Sequence, residues 1–311
     1  MNAMAKSTTD VAVIGHFSID SIILPSTSKP NLIMGGAVAY VSLVTRRLGA
    51  SALVISKVGG DFPEAYFSQL QEEGVDISNI IKEPGKKTTS FELTYGNDLS
   101  HRKLRLRNLG LAITPKDLPP KLHAKAIHIA PIADEISFEV VEHLRDCCDY
   151  LSIDPQGMTR RFNKKGDVAN SAKMDKRVLS LVDIYKSSFD EIQVLSGKKG
   201  LKDAIQVLHD FGPSTVIVTM GAEGSVISNQ STLSRIPVCK PTRVVDPTGA
   251  GDVFIGAFVT EYVRKKEPFW CACVGSAAAS LVVEGIGTSF FGNREEIYRR
   301  AKVAYEKEIK P

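Results

Sequence analysis

The residues whose types and spacing best suit chemistry lie in one stretch, Val244–Val259, which reads VVDPTGAGDVFIGAFV. A short apolar run ends at Asp246, a turn with two glycines follows, and Asp252 opens a segment with apolar residues at helical spacing. Thr248 is the expected N-cap of this helix, and the free N–H groups at its start suit the binding of an anion. A carboxylate repels phosphate, so Asp252 makes sense as a base that takes a proton from a group attacking that phosphate.

Composition narrows the class of protein. The chain has 311 residues, 43% of them hydrophobic, which corresponds to one large or two small folded domains. The net charge of +4 is too small to indicate nucleic acid as a partner. The spacings of the five cysteines and six histidines fit no disulfide framework or metal motif. The motifs GxSxG, Walker A and GxGxxG are absent after the first strand, which argues against a hydrolase, a P-loop NTPase and a dinucleotide dehydrogenase.

The sequence also bears on location. Its first residues contain no apolar signal segment, and the longest uncharged apolar run, Trp270–Val283, is too short to span a bilayer. The cysteine pattern indicates a reducing compartment. We therefore expect a soluble, cytoplasmic protein with no membrane partner.

Continuous apolar runs alternate with helical patterns along most of the chain, which predicts an α/β fold with a doubly wound, mostly parallel sheet and helices on both faces. Such sheets bind ligands at the carboxyl ends of their strands. Asp20 follows the first run, and Asp154, Gln156 and Gly157 follow a later one, so we expect them at the same edge. Asp20 could instead be a turn residue. With no linker in the sequence, residues 1–311 are expected to form a single domain.

The segments Thr88–Tyr95 and Arg102–Arg107 differ from the rest, because apolar and polar residues alternate in them. They predict a small β-hairpin projecting from the main sheet, with Ser21–Leu24 as a candidate neighbour. One face of the hairpin carries three basic residues: Lys103, Arg105 and Arg107. A solvated edge is the favoured explanation for them, a phosphate-attracting lid is the second and a nucleic-acid surface is the third.

Three motifs give the chain a resemblance to a known family. Asp246–Asp252 reads D-P-T-G-A-G-D, and a T-x-G-x-x-G element is formed by Thr219, Gly221 and Gly224. The third is an aspartate followed by a glycine pair: Asp20, Gly35 and Gly36. The chain resembles PfkB/ribokinase-family carbohydrate kinases over essentially its whole length. The resemblance implies a ribokinase-like fold with a small β-sheet lid over the sugar, formed here by about residues 17–34 and 86–110.

The resemblance also implies roles for the motif residues. Asp252 would be the catalytic base, and Gly249, Ala250 and Gly251 would form an anion hole for the transferring phosphoryl group. Thr219, Gly221 and Gly224 would lie near the phosphates of ATP. Adenine would lie near Ser276, Ala279 and the Val282–Gly287 turn, which contains Gly285.

Metal roles follow from the same resemblance. Glu191 matches the acid of the family's N-x-x-E motif, which organises water around Mg²⁺, and Ser188 replaces the motif's Asn. Asp246 matches a monovalent-cation position, for example for K⁺. Metal affinity or phosphate preference is expected to depend on the change at Ser188.

The acceptor region departs from ribokinase itself. The ribokinase run G-G-K-G-A-N reads G-G-A-V-A-Y here, with Tyr40 in place of the Asn that helps to grip ribose. The chain is more similar to myo-inositol-kinase-like members, in which Asp20 would bind adjacent hydroxyls and Asp154 and Gln156 would add polar contacts. Arg160 could reach the acceptor or be structural.

We therefore expect ATP- and Mg²⁺-dependent phosphoryl transfer to a sugar or polyol, with a cyclic polyol of the myo-inositol type favoured. A nucleoside kinase is the alternative within enzymes. A protein that senses sugar or nucleotide on the same fold is the alternative outside them. A homodimer formed through the lid is a further expectation.

Overall fold

The computed structural model describes residues 9–25, 29–97, 99, 102–230 and 232–309. His101, one of the histidines considered above, lies outside the described residues. The strands, numbered in chain order, are β1 (Thr9–Ile14), β2 (Ser18–Ile23), β3 (Asn31–Gly35), β4 (Ala52–Gly59), β5 (Asp76–Glu83), β6 (Thr89–Tyr95), β7 (Arg102–Asn108), β8 (Ala124–Ile129), β9 (Cys148–Ile153), β10 (Arg160–Phe162), β11 (Val168–Asn170), β12 (Ile184–Ser188), β13 (Thr215–Thr219), β14 (Ser225–Ser228) and β15 (Leu233–Ile236). The helices are α1 (Ala37–Arg47), α2 (Glu64–Glu72), α3 (Phe138–Arg145), α4 (Gln156–Thr159), α5 (Phe189–Ser196), α6 (Leu201–Phe211), α7 (Ala250–Tyr262), α8 (Pro268–Val282) and α9 (Arg294–Ile309).

The main sheet has the strand order β15-β14-β13-β12-β9-β8-β1-β4-β5. Its strands are parallel from β13 to β5, and β14 and β15 add an antiparallel edge. In β1, Val11 and Val13 pack on the side of α1, α7 and α8, whereas Ala12 and Ile14 pack on the side of α3, α5 and α6. Both faces of the strand are therefore buried, which is why its apolar run is continuous. The predicted fold class is confirmed.

A second, four-stranded sheet has the order β3-β2-β6-β7, and we call it the lid sheet. β2 pairs with β6 in parallel, whereas the β2–β3 and β6–β7 pairs are antiparallel. Burial alternates along β6, as the sequence pattern predicted. The strand β3 has no matching prediction, because it is short and carries only a partial alternation.

The basic residues of β7 fit a solvated edge. Arg105 pairs with Asp167 at 3.1 Å and Arg107 with Glu92 at 2.5 Å, and these side chains are partly exposed. Such ion pairs contribute little to stability, and they keep a strand edge polar.

Hydrogen bonds of His16 and Tyr95 are among those that hold the lid sheet to the body. His16, just after β1, donates from Nε2 to the carbonyl of Leu111 at 2.7 Å and accepts at Nδ1 from the hydroxyl of Thr89 at 2.9 Å. The hydroxyl of Tyr95, at the end of β6, lies 2.8 Å from the hydroxyl of Thr248. The buried His16 is thus a structural residue at the base of the lid sheet.

Across the described ranges, no helix is both long enough and apolar enough to cross a membrane.

The Tyr95–Thr248 contact gives a first prediction. Tyr95→Phe removes the buried hydrogen bond to Thr248 and a longer one from Arg102, so we expect a loss of about 1–3 kcal/mol in the free energy of unfolding. Amide hydrogen exchange should become faster in β6 and β7, because the lid sheet loses an attachment. The matched control is Tyr305→Phe in α9, which should leave exchange in β6 and β7 unchanged. Equal protection of these strands in Tyr95→Phe would show that the contact does not hold the lid sheet.

Candidate active site

The turn before α7 has the geometry that its glycines require. Gly249 is the N-cap of α7 with φ of 78°, in the left-handed region, and α7 begins at Ala250. A Cβ at Gly249 would lie 2.3 Å from the ring of Tyr40, so the turn packs directly on α1. Asp252 lies in the first turn of α7, as predicted, beside the helix N–H groups.

Thr248 is not the helix cap, so that prediction is wrong. Its backbone N–H and its hydroxyl both donate to Oδ1 of Asp246, at 2.9 and 2.5 Å. Since its hydrogen is used in this way, the Thr248 hydroxyl accepts from Tyr95. Oδ2 of Asp246 accepts from the N–H of Gly287 at 2.9 Å. The fully buried Asp246 therefore joins the turn before α7 to the turn after α8.

The carboxyl of Asp252 is suited to accept a proton. Burial raises its pKa to about 6, and the positive charges of Lys186, Arg160 and Arg102 limit the rise, whereas the charge of Asp154 adds to it. A base whose pKa lies just below neutral pH is ionised at rest and can still be protonated during a reaction.

A pocket between the lid sheet and the body brings together most of the residues predicted for the acceptor. Asp20, Gly36, Tyr40 and Gln156 line it, and Asp252 lies at its wall together with Gly249 and Thr248. The remaining lining residues come from the lid sheet, the first residue of α1, the segment after β8 and the first residue of β10: Ser18, Phe91, Leu93, Arg102, Leu104, Ala37, Ile132 and Arg160.

Oδ1 of Asp20 and the hydroxyl of Tyr40 are two of three buried oxygens in this pocket that have no partner among the described residues, and the third is the hydroxyl of Ser18. Burial raises the pKa of Asp20 to about 6. Burial and the nearby carboxylates of Asp246, Asp20 and Asp252 raise the pKa of Tyr40 well above its usual value. Unpaired buried polar atoms are costly, so these two indicate a ligand with hydrogen-bonding groups.

Asp20 and the glycine pair occupy positions that differ in detail from the prediction. Asp20 lies within β2 of the lid sheet, not in a loop at the edge of the main sheet. A Cβ at Gly35 would lie 2.0 Å from Oδ2 of Asp20, so Gly35 makes room for this carboxylate. Gly36 has φ of 89°, and a Cβ there would lie 2.3 Å from the carbonyl oxygen of His16.

Asp154 is outside the pocket wall. Its Oδ2 accepts from Nζ of Lys186 at 2.6 Å, and both side chains are almost fully buried. Its other oxygen accepts from the N–H of Gln156 at 3.3 Å, at the start of α4. Asp154 therefore neutralises a buried lysine beside the pocket instead of reaching into it.

Of the two arginines that line the pocket, Arg160 was left open between an acceptor contact and a structural role, and Arg102 was not predicted. Arg160 is buried, donates from Nη1 to the carbonyl of Ile132 at 2.9 Å and lies 5.7 Å from the ring centroid of Phe91. Burial and the charge of Arg102 lower its pKa to about 10. Arg102 donates to the hydroxyl of Tyr95 at 3.3 Å. The alternation of R-K-L-R-L-R is the signal that places Arg102 and Leu104 on the face opposite to the exposed basic residues.

Ser188 and Glu191 are in contact at the end of β12. Ser188 caps α5, and its N–H and hydroxyl donate to Oε2 of Glu191 at 2.8 and 2.7 Å. This capping box leaves Oε1 of Glu191 free of these two bonds. Among the described residues, no group of three or more His, Cys, Asp or Glu side chains is placed to hold a metal ion.

Thr219 and Gly221 lie at the same edge of the main sheet as Ser188. Thr219 pairs with Ser188 in the β12–β13 register, and its hydroxyl lies 3.4 Å from the carbonyl of Ser187. Gly221 has φ of 57° and open space where a side chain would be. A Cβ at Gly224 would lie 2.6 Å from the carbonyl of Ile236, so Gly224 has a packing reason of its own.

The residues predicted near adenine have local partners. The hydroxyl of Ser276 donates to the carbonyl of Pro237 at 2.8 Å and accepts from the N–H of Cys239 at 3.1 Å. A Cβ at Gly285 would lie 2.4 Å from Cβ of Phe290, whereas Ala279 is half-buried in α8. Ser276 and Gly285 therefore have structural explanations.

Comparison with known proteins agrees with this geometry. The family model described as "pfkB family carbohydrate kinase" matches residues 8–295. A cytidine kinase of Thermococcus kodakarensis is 30% identical over 283 residues, covering 89% of this chain and 97% of that protein. An inositol 3-kinase of Arabidopsis thaliana is 26% identical, covering 94% and 80%. The sulfate complex of a pyrophosphate-dependent kinase in the ribokinase family superposes with a TM-score of 0.80 at 25% identity, covering 93% and 99%.

The family match spans nearly the whole chain, and the predicted resemblance is confirmed. Because members of this family act as kinases, the non-catalytic sensor is no longer favoured. The chain belongs to the PfkB family of carbohydrate kinases, enzymes that transfer a phosphoryl group to a hydroxyl group.

Proposed function

We propose that this enzyme transfers the terminal phosphoryl group of ATP to a hydroxyl of a sugar or polyol, and that its preferred acceptor is a cyclic polyol of the myo-inositol type. The observation that carries the proposal is the partly buried carboxylate of Asp252 at the start of α7, which lines a pocket together with an unpaired oxygen of Asp20. Asp252 and the start of α7 supply a base and an anion site. The unpaired oxygen of Asp20 can accept hydrogen bonds from the hydroxyl groups of an acceptor.

The chain's own groups account for the steps. Acceptor hydroxyls would donate to Oδ1 of Asp20 and pair with the Tyr40 hydroxyl, which holds the reacting oxygen near Asp252. Asp252 would take the proton of that hydroxyl as the oxygen attacks phosphorus. The N–H groups of Gly249, Ala250 and Gly251 would stabilise the charge on the phosphoryl oxygens.

The residues present fit the expected cofactors. We place the phosphates of ATP along Thr219, Gly221 and the start of α7, all at one edge of the main sheet, and keep the neighbourhood of Ala279 for adenine. Glu191 and Ser188 would hold water ligands of Mg²⁺, which supplies positive charge to the donor phosphates. A carboxylate with backbone carbonyls nearby also suits a monovalent cation at Asp246.

The choice of acceptor rests on the composition of the pocket wall. Polar groups from β2, α1 and α4 surround the space, which suits a ring with hydroxyls on several sides, and the inositol 3-kinase of A. thaliana is similar along the chain. A nucleoside is the second candidate. The 30% identical cytidine kinase favours it, and Phe91, Leu93 and Leu104 would offer an apolar wall to a base.

Three other expectations are kept as proposals. Residues 1–311 would form one domain. The lid sheet would pair two subunits, because β3 and β7 are its edge strands. The protein would act in the cytoplasm.

A turnover screen tests the function directly. Inositols, hexoses, pentoses and nucleosides are each supplied with ATP or with pyrophosphate, and release of the donor product is measured, with Asp252→Asn as the blank. Selective turnover of inositols supports the preferred acceptor. Turnover of nucleosides alone would replace it with the second candidate, and no turnover of any acceptor would contradict the proposed function.

Asp252→Asn should lower kcat by about 10²–10⁴-fold, because the amide cannot take the acceptor's proton. Binding of ATP, followed by calorimetry, should change little, since the amide has the size of the carboxyl group. The exposed Asp175→Asn serves as the matched control and should keep full turnover. A kcat near that of the unmodified chain in Asp252→Asn would rule out its assignment as the base.

The pH dependence of kcat/KM for the acceptor should report the ionisation of the free enzyme's base. Because Asp252 must be ionised and its pKa is about 6, kcat/KM should be level above this value and fall by about tenfold per pH unit well below it. Asp20 titrates in the same range, with a pKa of about 6. The fall should therefore persist in Asp20→Asn, and a flat profile down to pH 5 in either protein would contradict the prediction.

Asp20→Asn should raise KM for the acceptor by about tenfold or more with a smaller change in kcat, because a charged hydrogen-bond acceptor is replaced by a neutral one in a buried site. Affinity for ATP measured without acceptor should stay the same. An unchanged KM would mean that Asp20 does not bind the acceptor.

A further inference from the structure

A buried lysine lies beside the start of α7, outside the set of motif residues. Lys186 belongs to β12, its side chain is 4% exposed, and Nζ donates to Oδ2 of Asp154 at 2.6 Å. A Cβ at Gly251 would lie only 2.6 Å from Nζ. The ammonium group therefore touches the turn whose N–H groups form the proposed anion hole.

The hydrogen bonds of Lys186 are incomplete. An ammonium group has three donors. Within the part of the chain that the structure describes, Asp154 is the one acceptor that Nζ reaches, so two donors are left over. A buried charge with unused donors is costly unless a further partner binds it.

The surroundings identify the charge of that partner. Burial opposes the charged form, but the carboxylates of Asp154 and Asp252 raise the pKa of Lys186 above its usual value, so the side chain is an ammonium ion. Its charge in turn stabilises the ionised form of Asp252. An anion that bears oxygen atoms can accept hydrogen bonds from both this ammonium and the N–H groups of α7.

We propose that Lys186 is a catalytic residue that donates hydrogen bonds to the phosphoryl group during its transfer, while Asp154 holds the lysine in place. This inference rests on the proposed phosphoryl transfer. The acceptor oxygen forms its bond to phosphorus, the bond from phosphorus to the bridging oxygen of ADP breaks, and that oxygen keeps the electron pair. The acceptor's proton passes to Asp252, and Lys186 retains its own protons throughout.

A purely structural role makes a different prediction. If Lys186 only neutralises Asp154, then removing both charges together should restore a normal site. If Lys186 binds the phosphoryl group, the neutral pair should remain defective toward a ligand that carries this group. The double variant Lys186→Gln with Asp154→Asn therefore separates the two roles, with no buried charge left unpaired.

The experiment compares the affinities of ATP and ADP, both with Mg²⁺ and without acceptor, by calorimetry. ADP lacks the transferred group and serves as the internal reference. Lys186→Met and the double variant should each bind ATP about tenfold or more weakly, with a much smaller change for ADP. Asp154→Asn keeps the ammonium and an amide oxygen that can accept from Nζ, so its loss of ATP affinity should be smaller than that of Lys186→Met.

The controls address folding and the proposed function. Thermal unfolding shows whether each variant is folded, and Lys125→Met, which removes a half-exposed surface lysine paired with Asp10, should leave both affinities unchanged. Lys186→Arg should recover part of the lost ATP affinity.

ATP binding by a folded double variant at the unmodified affinity would overturn the inference, whatever acceptor is found. Failure of every acceptor in the turnover screen, with Lys186-dependent ATP binding intact, would overturn only the proposed function.

Discussion

The carboxylate of Asp246 is the interaction on which the site depends, because it joins separate segments at a point that water does not reach. Its oxygens accept from the N–H and hydroxyl of Thr248 and from the N–H of Gly287. The Thr248 hydroxyl in turn accepts from Tyr95 of the lid sheet. A buried carboxylate is tolerated only when such bonds are made, so the turn before α7, the turn after α8 and the end of β6 are positioned together.

The balance of charge around Asp252 is the second constraint. Burial alone would favour its neutral form, and the charge of Asp154 acts in the same direction. Three cations oppose this effect from different elements: Arg102, Arg160 and Lys186. Since the result is a pKa of about 6, the same cations that can bind phosphoryl oxygens also keep the base ionised before the reaction. Binding of an anion would weaken this support and make Asp252 a better proton acceptor at the moment when the proton has to move.

The sequence predicted the main sheet and α7 well, since doubly buried strands have continuous apolar runs and α7 follows a glycine turn of distinctive pattern. It did not predict β3, whose strand conformation depends on pairing with β2. Thr248 was assigned as a cap, but its N–H and hydroxyl bond to the carboxylate two residues earlier, a local turn that the residue types allow without specifying it. Asp154 was placed in the pocket and Lys186 was missed for a different reason, because their pairing is a tertiary contact that joins β12 to the segment after β9. The direction of a long side chain depends on register and burial, which residue spacing does not specify.

The contact between Tyr40 and Gly249 bears on how acceptors are selected. A Cβ at Gly249 would overlap the Tyr40 ring, so this wall of the pocket and the turn before α7 are packed as one unit. A substitution at Tyr40 would therefore disturb the N–H groups that α7 presents to a phosphate. Phe91, Leu93 and Leu104 reach the pocket from β6 and β7 of the lid sheet, and β6 is joined to this unit by Tyr95 at its end. Changes at these apolar side chains leave the Tyr95–Thr248 bond in place, so we expect them to alter the acceptor while the phosphoryl site keeps its geometry. On this basis one D-P-T-G-A-G-D turn can serve either proposed acceptor, a polyol or a nucleoside, and we expect the lid sheet to discriminate between them.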